Sequence, residues 1–325
     1  MENYNNKLSQ TYPFNTNSTI TEDDLAKLRI VTLVNCVINA CSSFTAAFGN
    51  GLILFVIWRT PTLHSPSNTL LFGLALTDFF VGLITQPLQV AISLICLLSE
   101  KSGPQPLTDT FDVLSVILSS ASFTIATVIS VDRFLVFYLH MRYQTIVTSK
   151  KVRAVIAVGW LLSSLLGLMW TLSTKAYYHA VIVSFLVYFS IIVLMYLKIY
   201  RIVRRHQAQI QAQEQVGTQQ KASLQLHFAR CTKSAINTFY VCFFLFLCYF
   251  PYNCTAGVIQ LTGHSINKYI ALQFTGTVTF INSSLNPLVY FWRVAEIRKA
   301  IKNTFNCDFS RVTRRGQANE RTSGV

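Results

Sequence analysis

The chain has 325 residues, of which 52% are apolar and only 12% are charged, and its formal net charge is +14. A soluble protein of this length needs far more charged side chains to cover its surface, so the composition excludes an ordinary soluble globular domain. A strongly basic chain can bind nucleic acid, but basic residues beside apolar stretches favour contact with anionic lipid instead.

Seven stretches carry almost no charge, and each reaches or exceeds the roughly 20 residues that a helix needs to cross a bilayer. In chain order they are Ile30–Trp58, Thr69–Leu98 (interrupted only by Asp78), Val113–Val131, Ala154–Thr174, Ala176–Leu197, Ser234–Asn267 and Tyr269–Trp292. In lipid a helix closes its backbone hydrogen bonds within the segment. The sequence therefore predicts an all-α membrane protein, a seven-transmembrane helix bundle over residues 30–292.

The positions of the basic residues predict the orientation of the bundle. With the N-terminus outside, only a few of the 27 Lys and Arg residues lie on the outer side: Lys7, Lys27, Arg29, Lys101, Lys175 and Lys268. The others lie near inner helix ends or in the C-terminal tail, which is the positive-inside pattern. We expect a multi-pass protein with an extracellular N-terminus and no nucleic-acid partner.

Polar segments flank the predicted bundle. Residues 1–29 predict an extracellular tail with a glycosylation sequon at Asn17. After the seventh span, residues 293–306 place apolar side chains four apart between basic ones, which predicts a short amphipathic helix on the inner membrane surface. Residues 307–325 predict a cytoplasmic tail, and Cys307 at its start is a candidate for palmitoylation.

Five polar residues lie near the middle of predicted spans, where a charged group costs roughly 2.5–3.5 kcal/mol. They are Asn50, Asp78, Ser122, Asn282 and Asn286. These side chains are expected to converge on one buried cluster. Hydrogen bonds that simply hold the helices together would explain such a cluster as readily as a binding site would.

Three short motifs complete the pattern. They are Asp132-Arg133-Phe134 after the third span, Cys248-Tyr249-Phe250-Pro251 in the sixth, and Asn286-Pro287-Leu288-Val289-Tyr290 in the seventh. Pro251 and Pro287 each remove a backbone hydrogen bond from a helix, so both positions predict hinges. Over about residues 30–305, the chain resembles the rhodopsin-like (class A) G protein-coupled receptors.

The resemblance implies a switch at the cytoplasmic face. It assigns Asp132 to hold Arg133 in the resting state, and Tyr196 and Tyr290 to brace Arg133 when it turns toward a G protein. Many relatives add an acid on helix six that locks the arginine. No Asp or Glu occurs within Phe228–Asn237, so we expect raised basal activity.

The same resemblance implies that the five central polar residues line a cavity for an allosteric sodium ion. Asp78 is the expected anionic ligand, supported by Ser122 and the Asn residues. No other metal and no cofactor is expected.

By resemblance, an outer pocket binds the ligand. Its expected lining residues are Asp112, Ser115, Ser119, Tyr249, Tyr252, Asn253 and Phe280. Thr108 stands where most relatives have a disulfide-bonded cysteine, and Tyr188 replaces the central proline of helix five. These departures, and a very short fourth-to-fifth loop, are similar to the group of melanocortin and adenosine receptors. Ser115 replaces the acid of aminergic receptors, and Phe280 replaces the retinal lysine of opsins, which argues against a monoamine ligand and against photoreception.

The sequence thus predicts a plasma-membrane receptor, rather than an enzyme, that couples an extracellular peptide or small molecule to a heterotrimeric G protein. Arrestin, receptor kinases and membrane lipids are further expected partners. The alternative is a seven-helix transporter or cation channel with a path through Asp78. Transporters usually contain internal repeats, and none is evident in this sequence.

Overall fold

The computed structural model describes residues 21–99, 104–212, 219–263, 265–293 and 297–302, and these are helical apart from short connections. The long helices are α1 Glu22–Arg59, α2 Pro66–Ser99, α3 Gln105–Leu139, α4 Ser149–Leu172, α5 Thr174–Ala212, α6 Gln219–Thr262 and α7 Ile266–Arg293. The predicted all-α, seven-helix fold is confirmed.

The third helix lies at the centre of the bundle. It packs against α2, α4, α5 and α6, while α1 packs against α2 and α7, and α6 against α7. In the most apolar part of α3, 56% of the residues are buried, against 11% in α5. The polar residues of α3 therefore face other helices rather than lipid.

The outer surface of the bundle suits a bilayer. Leu161, Leu165 and Leu168 lie along one face of α4 and are all exposed, as lipid-facing side chains would be. Within the described ranges, α1 to α6 are long and apolar enough to cross a membrane. The 28-residue α7 is more polar because it contributes several buried Asn, Ser and Thr side chains to the interior.

The first helix begins earlier than predicted. Thr21 caps its N-terminus: the Asp24 backbone N–H donates to the Thr21 hydroxyl, and the Thr21 backbone N–H donates to the Asp24 carboxylate. This reciprocal capping box satisfies donors at the helix start. Residues 22–29, which we predicted to belong to the extracellular tail, are therefore helical. Asn17 lies outside the described residues.

The second helix contains a π-helical segment, Val81–Thr85, that the sequence did not predict. Ser43 of α1 donates a hydrogen bond of 2.6 Å to the Gly82 carbonyl in this segment. A Cβ added at Gly82 would lie 2.7 Å from the Ala46 Cβ, so the glycine permits close approach of α1 and α2. The π segment and this contact together fix the outer half of α2 against α1.

The connection between α4 and α5 is even shorter than predicted, since Ser173 alone separates the two helices. Trp170 at the end of α4 packs edge-on against Tyr177 and Tyr178 at the start of α5. α5 continues to Ala212, beyond the predicted end of the fifth span at Leu197, and α6 begins at Gln219, before the predicted start of the sixth span at Ser234. Residues 213–218 lie outside the described residues.

The sixth helix ends at Thr262, five residues before the end that the apolar span Ser234–Asn267 predicted. Gly263 adopts a positive φ of 75°, a conformation that glycine adopts readily and that commonly ends helices. Lys268 donates hydrogen bonds to the carbonyl oxygens of Thr262 and Gly263. The predicted end was wrong because apolar character continues past this cap.

Part of the predicted amphipathic helix lies within the described residues. Residues 297–302 are helical, Ile297 is buried beside Val289 and Tyr290 of α7, and Arg298 and Lys302 are exposed. This distribution is that of a helix with one apolar and one basic face. Cys307 and the rest of the tail lie outside the described residues.

Candidate functional site

Asp132 and Arg133 form an ion pair at the inner end of α3. The Arg133 Nη2 lies 3.1 Å from the Asp132 Oδ2, and both side chains are largely buried. Asp132 also accepts hydrogen bonds from the Ser67 hydroxyl at 2.8 Å and from the Tyr143 hydroxyl at 2.5 Å. Three donors thus satisfy the hydrogen-bonding capacity of the carboxylate.

Tyr143 lies in a short helix, Tyr143–Ile146, in the connection between α3 and α4. Burial, and then the neighbouring Asp132 charge, raise the pKa of Tyr143 above its ordinary value. Because the pKa is raised, the phenol keeps its proton throughout the physiological range and remains a hydrogen-bond donor. Sequence inspection missed this contact, which joins the connection directly to the motif of α3.

Arg133 makes a second contact, across the bundle to α6. Its Nη1 donates a hydrogen bond of 2.9 Å to the Ser234 hydroxyl. We predicted that Arg133 would have no acidic partner on this helix, and the structure places a neutral hydroxyl there instead. This contact, which we call the Arg133–Ser234 latch, joins the inner ends of α3 and α6.

The two tyrosines expected to brace Arg133 lie elsewhere in this conformation. The Tyr196 hydroxyl is 4.0 Å from the Cys242 Sγ, which in turn lies 3.2 Å from the Ser130 hydroxyl. The Tyr290 hydroxyl is buried and has no hydrogen-bond partner among the described residues. Among the residues that the structure describes, neither tyrosine is hydrogen-bonded to Arg133.

Asp78 is fully buried at the centre of the bundle and accepts three side-chain hydrogen bonds. The Ser283 hydroxyl at 2.8 Å and the Ser122 hydroxyl at 3.4 Å approach its Oδ1. The Asn286 Nδ2 donates to its Oδ2 at 2.6 Å. The structure therefore brings Ser122 and Asn286 to Asp78 as the sequence suggested, and adds Ser283, which sequence inspection missed.

The two remaining residues of this group are placed differently. Asn50 donates to the backbone carbonyls of Ala46 and Ser283, both at 2.9 Å, so it adjoins Asp78 only through Ser283. Asn282 is fully buried, and neither its amide oxygen nor its amide nitrogen has a hydrogen-bond partner in the part of the chain that the structure describes. These atoms leave unused hydrogen-bonding capacity on α7 beside Asp78.

The donor set around Asp78 fits a hard cation. The Asp78 carboxylate and the Ser122 and Ser283 hydroxyls bring oxygen atoms together, and the amide oxygens of Asn50 and Asn282 are buried without hydrogen-bond partners among the described residues. Oxygen ligands of this kind suit cations such as sodium rather than thiophilic metals. With a single carboxylate, the charge of the cluster balances one monovalent ion.

On the outer side, Tyr249 is held between α3 and α6. Its hydroxyl donates to the Ser119 carbonyl at 3.4 Å, and its ring centroid lies 5.4 Å from that of Phe123. Asn253 donates to the Tyr249 carbonyl of its own helix. Phe280 of α7 packs edge-on against Phe111 of α3. These contacts place the predicted lining residues on neighbouring faces of α3, α6 and α7.

Asp112 lies on α3 in a partly buried, aromatic environment. The hydroxyls of Tyr177, Tyr178 and Tyr252 lie near enough to interact electrostatically with its charge. Among the described residues no ion pair or hydrogen bond engages the Asp112 carboxylate. Sequence inspection found Tyr252 but missed the two tyrosines that directly follow the short connection.

The chain matches the model of the 7 transmembrane receptor (rhodopsin family) over residues 49–180 and 170–290. The crystal structure of squid rhodopsin is similar to it with a TM-score of 0.75, covering 86% of this chain and 86% of that chain. The sequence identity between the two is 18%, so this structural likeness concerns the fold alone.

Proposed function

This chain belongs to the rhodopsin family of seven-transmembrane receptors, and from that premise we propose that it converts binding of an extracellular ligand into activation of a heterotrimeric G protein. The observation that carries the proposal is the double engagement of Arg133, by Asp132 within α3 and by Ser234 of α6. A charged side chain held by two weak contacts can exchange partners when helices move. The family is one of receptors, and we propose no catalytic activity.

The proposed resting state is closed by four polar contacts. Ser67 and Tyr143 hold Asp132, Asp132 pairs with Arg133, and Arg133 reaches Ser234 on α6. Outward movement of the inner end of α6 breaks the Arg133–Ser234 latch and opens a cleft for the G protein.

The two buried tyrosines supply partners for Arg133 in the open state. The Tyr290 hydroxyl has no hydrogen-bond partner among the described residues, and the Tyr196 hydroxyl makes a long contact of 4.0 Å to the Cys242 thiol. The interior prolines Pro251 of α6 and Pro287 of α7 interrupt the backbone hydrogen bonding at which such movement bends a helix. Sensors for each G protein class, read in cells with and without the receptor, test this proposal.

Removal of the latch is expected to raise basal signalling. In Ser234→Ala, Arg133 loses the hydroxyl on α6, and a hydrogen bond to a charged group contributes about 1.5–3 kcal/mol. The ratio of closed to open receptor should therefore fall by about tenfold or more. The measurement is basal G protein activation, normalised to the amount of receptor at the cell surface, in Ser234→Ala and in wild type.

Ser234→Thr keeps a hydroxyl and is the matched control, with basal signalling expected close to wild type. Ser234→Asp would give Arg133 an ionised partner and should reduce the basal signal. If Ser234→Ala signals no more than wild type while the receptor activates G protein, the latch has no role in the resting state.

A sodium ion bound at Asp78 would supply the positive charge that balances the buried carboxylate. We propose that Asp78, Ser122, Ser283 and the Asn282 amide oxygen hold it, and that Asn286 positions the carboxylate from α7. Because α2, α3 and α7 all contribute, the site holds these helices in their resting arrangement.

We propose that the ligand enters between α3, α5, α6 and α7 and carries a cationic group that pairs with Asp112. The carboxylate has aromatic neighbours, Tyr178 and Tyr252, whose ring faces attract cations. A basic peptide side chain or an amine on a small molecule satisfies this chemistry. Ser115, whose buried hydroxyl has no partner among the described residues, would orient the ligand deeper in the pocket.

Replacement of Asp112 by Asn is expected to weaken a cationic agonist by more than about tenfold, because a partly desolvated ion pair loses about 2–5 kcal/mol when one charge is removed. Concentration–response curves for an agonist found by screening basic peptides and amines would measure the loss. Asp109→Asn, which changes an exposed carboxylate one turn away, is the matched control. Equal potency in both variants would remove Asp112 from the ligand site.

We further propose a plasma-membrane location with an extracellular N-terminus glycosylated at Asn17, and a cytoplasmic tail lipidated at Cys307. The positive-inside distribution of Lys and Arg supports this orientation. Receptor kinases and arrestin are proposed partners of residues 307–325, and anionic lipid is a proposed partner of the basic inner surface.

A further inference from the structure

A second buried polar cluster lies between α1, α2 and α7, in the outer half of the bundle. Asn35, Asn39 and Ser42 are four and three residues apart, so they share one face of α1. Asn39 and Gln86 of α2 are fully buried, Asn35 is 2% exposed, and Thr277 of α7 is 3% exposed. None of these residues belongs to the Asp78 group or to the proposed ligand pocket.

Hydrogen bonds determine the orientation of the Asn39 amide. The Asn39 Nδ2 donates to the Asn35 carbonyl at 2.9 Å and to the Thr277 hydroxyl at 3.0 Å. The Gln86 Nε2 donates to the Ser42 hydroxyl at 2.5 Å, and that hydroxyl donates to the Asn39 carbonyl at 3.3 Å. A carbonyl accepts only, so the Asn39 nitrogen must face the Asn35 carbonyl and the Asn39 amide oxygen must point away from it.

Several amide atoms of this cluster remain without partners among the described residues. The Asn39 Oδ1, the Gln86 Oε1 and both amide atoms of Asn35 are buried and have no hydrogen-bond partner among the described residues. The hydroxyl of Thr85, the residue before Gln86 in the chain, is also buried without a hydrogen-bond partner among the described residues. Buried polar groups of native proteins almost always have a partner, and bound water commonly provides it.

The cluster is bounded on its inner side. At Gly82 the backbones of α1 and α2 approach so closely that a Cβ would lie within 2.7 Å of the Ala46 side chain. The Ser43 hydroxyl and the Gly82 carbonyl satisfy each other at that point. Thr85 and Gln86 follow directly along the π-helical segment, and such segments frequently occur at functional sites. Gly82 thus lies between Asp78 and Gln86 along α2.

We propose that the α1–α2–α7 cluster around Asn39 is a binding site for small neutral hydrogen-bond donors, occupied by water in the ligand-free protein. The fixed Asn39 oxygen requires a bound molecule, the guest, that donates a hydrogen bond, and the Asn35 amide can either donate to that molecule or accept from it. The cluster contains no carboxylate, and a charged guest at this depth would be costly. The bound molecule connects α7 to α1 and α2 through hydrogen bonds.

Replacement of Asn35 by Leu tests the proposal. Leu has a similar shape but cannot bond to a guest, so the melting temperature of the purified full-length protein should fall by about 2 °C or more. If the Asn35 amide has no guest, removal of an unsatisfied buried amide is instead stabilising, and the melting temperature should rise. A rise, or no change, would overturn the proposal.

Two further variants make the result interpretable. Asn39→Leu removes two hydrogen bonds within the protein and should lower the melting temperature whether or not a guest is present, which confirms that the assay detects a lost bond. Thr85→Val conserves volume and removes only a hydroxyl without a partner in the described residues. If Asn35→Leu does not fold, Thr85→Val provides the same test: a fall supports the proposal, and a rise or no change contradicts it.

Discussion

Replacement of Arg133 by Ala is expected to reduce G protein activation to the background of cells without the receptor, while the protein still reaches the surface. Arg133 is the only residue that contacts both Asp132 and Ser234 among the described residues, so its loss removes both the closed contact and the group proposed to meet the G protein. Asp132 keeps its bonds from Ser67 and Tyr143 and is not left as an unpaired buried charge. Removal of one partner of a buried ion pair is destabilising, but the two hydrogen bonds that remain on Asp132 reduce that cost, so the protein should still fold.

Arg133→Lys is the companion variant that separates the effect of the charge from that of the guanidinium geometry. Lysine keeps the charge but is a point donor, and cannot reach two partners on different helices with a planar fork. It should retain a fraction of the wild-type signal. Equal signalling by wild type and Arg133→Ala at matched surface level would refute the switch assignment.

Replacement of Asp78 by Asn is expected to abolish a stabilising effect of sodium. In the wild-type protein, sodium chloride should raise the melting temperature above that in equimolar potassium chloride, because a ligand that binds only the folded state stabilises it. At a sodium concentration about ten times the dissociation constant, the stabilisation is about 1.4 kcal/mol. The amide in Asp78→Asn would keep the shape of the side chain and lose the anionic ligand, so the two salts should become equivalent.

Ser283→Ala is a useful graded variant, since it removes one oxygen at 2.8 Å and leaves the carboxylate. We expect a weaker but measurable sodium effect. An unchanged difference between sodium and potassium in Asp78→Asn would refute the ion site. A sodium current through the wild-type protein that disappears in Asp78→Asn would instead support the alternative of a cation channel.

The predicted helices could be read from the sequence because apolar length is a property of each segment alone. The exceptions have local causes. The Thr21–Asp24 capping box extended α1 into a polar region, and the Gly263 cap ended α6 within an apolar one. The π segment Val81–Thr85 was not predicted, although Pro87, two residues beyond it, cannot donate a backbone hydrogen bond to the preceding turn.

The site was predicted less completely, because its contacts join residues distant in the chain. Ser283 binds Asp78 across 205 positions, and Ser234 binds Arg133 across 101. A serine in an apolar helix is common, and only the packing of the helices shows which serine faces a charge. The positions of Ser122 and Asn286 could be predicted because they followed from a family pattern. The roles assigned to Asn282 and Asn253 remain predictions.

The central claim is that Arg133, released from Ser234, activates a G protein. The most direct measurement is nucleotide exchange by purified heterotrimers of each class, with wild type, Ser234→Ala and Arg133→Ala reconstituted in lipid at equal concentration. We predict that at least one class responds, with Ser234→Ala fastest, wild type intermediate and Arg133→Ala at the receptor-free rate. Equal exchange with all three proteins for every class would contradict the account.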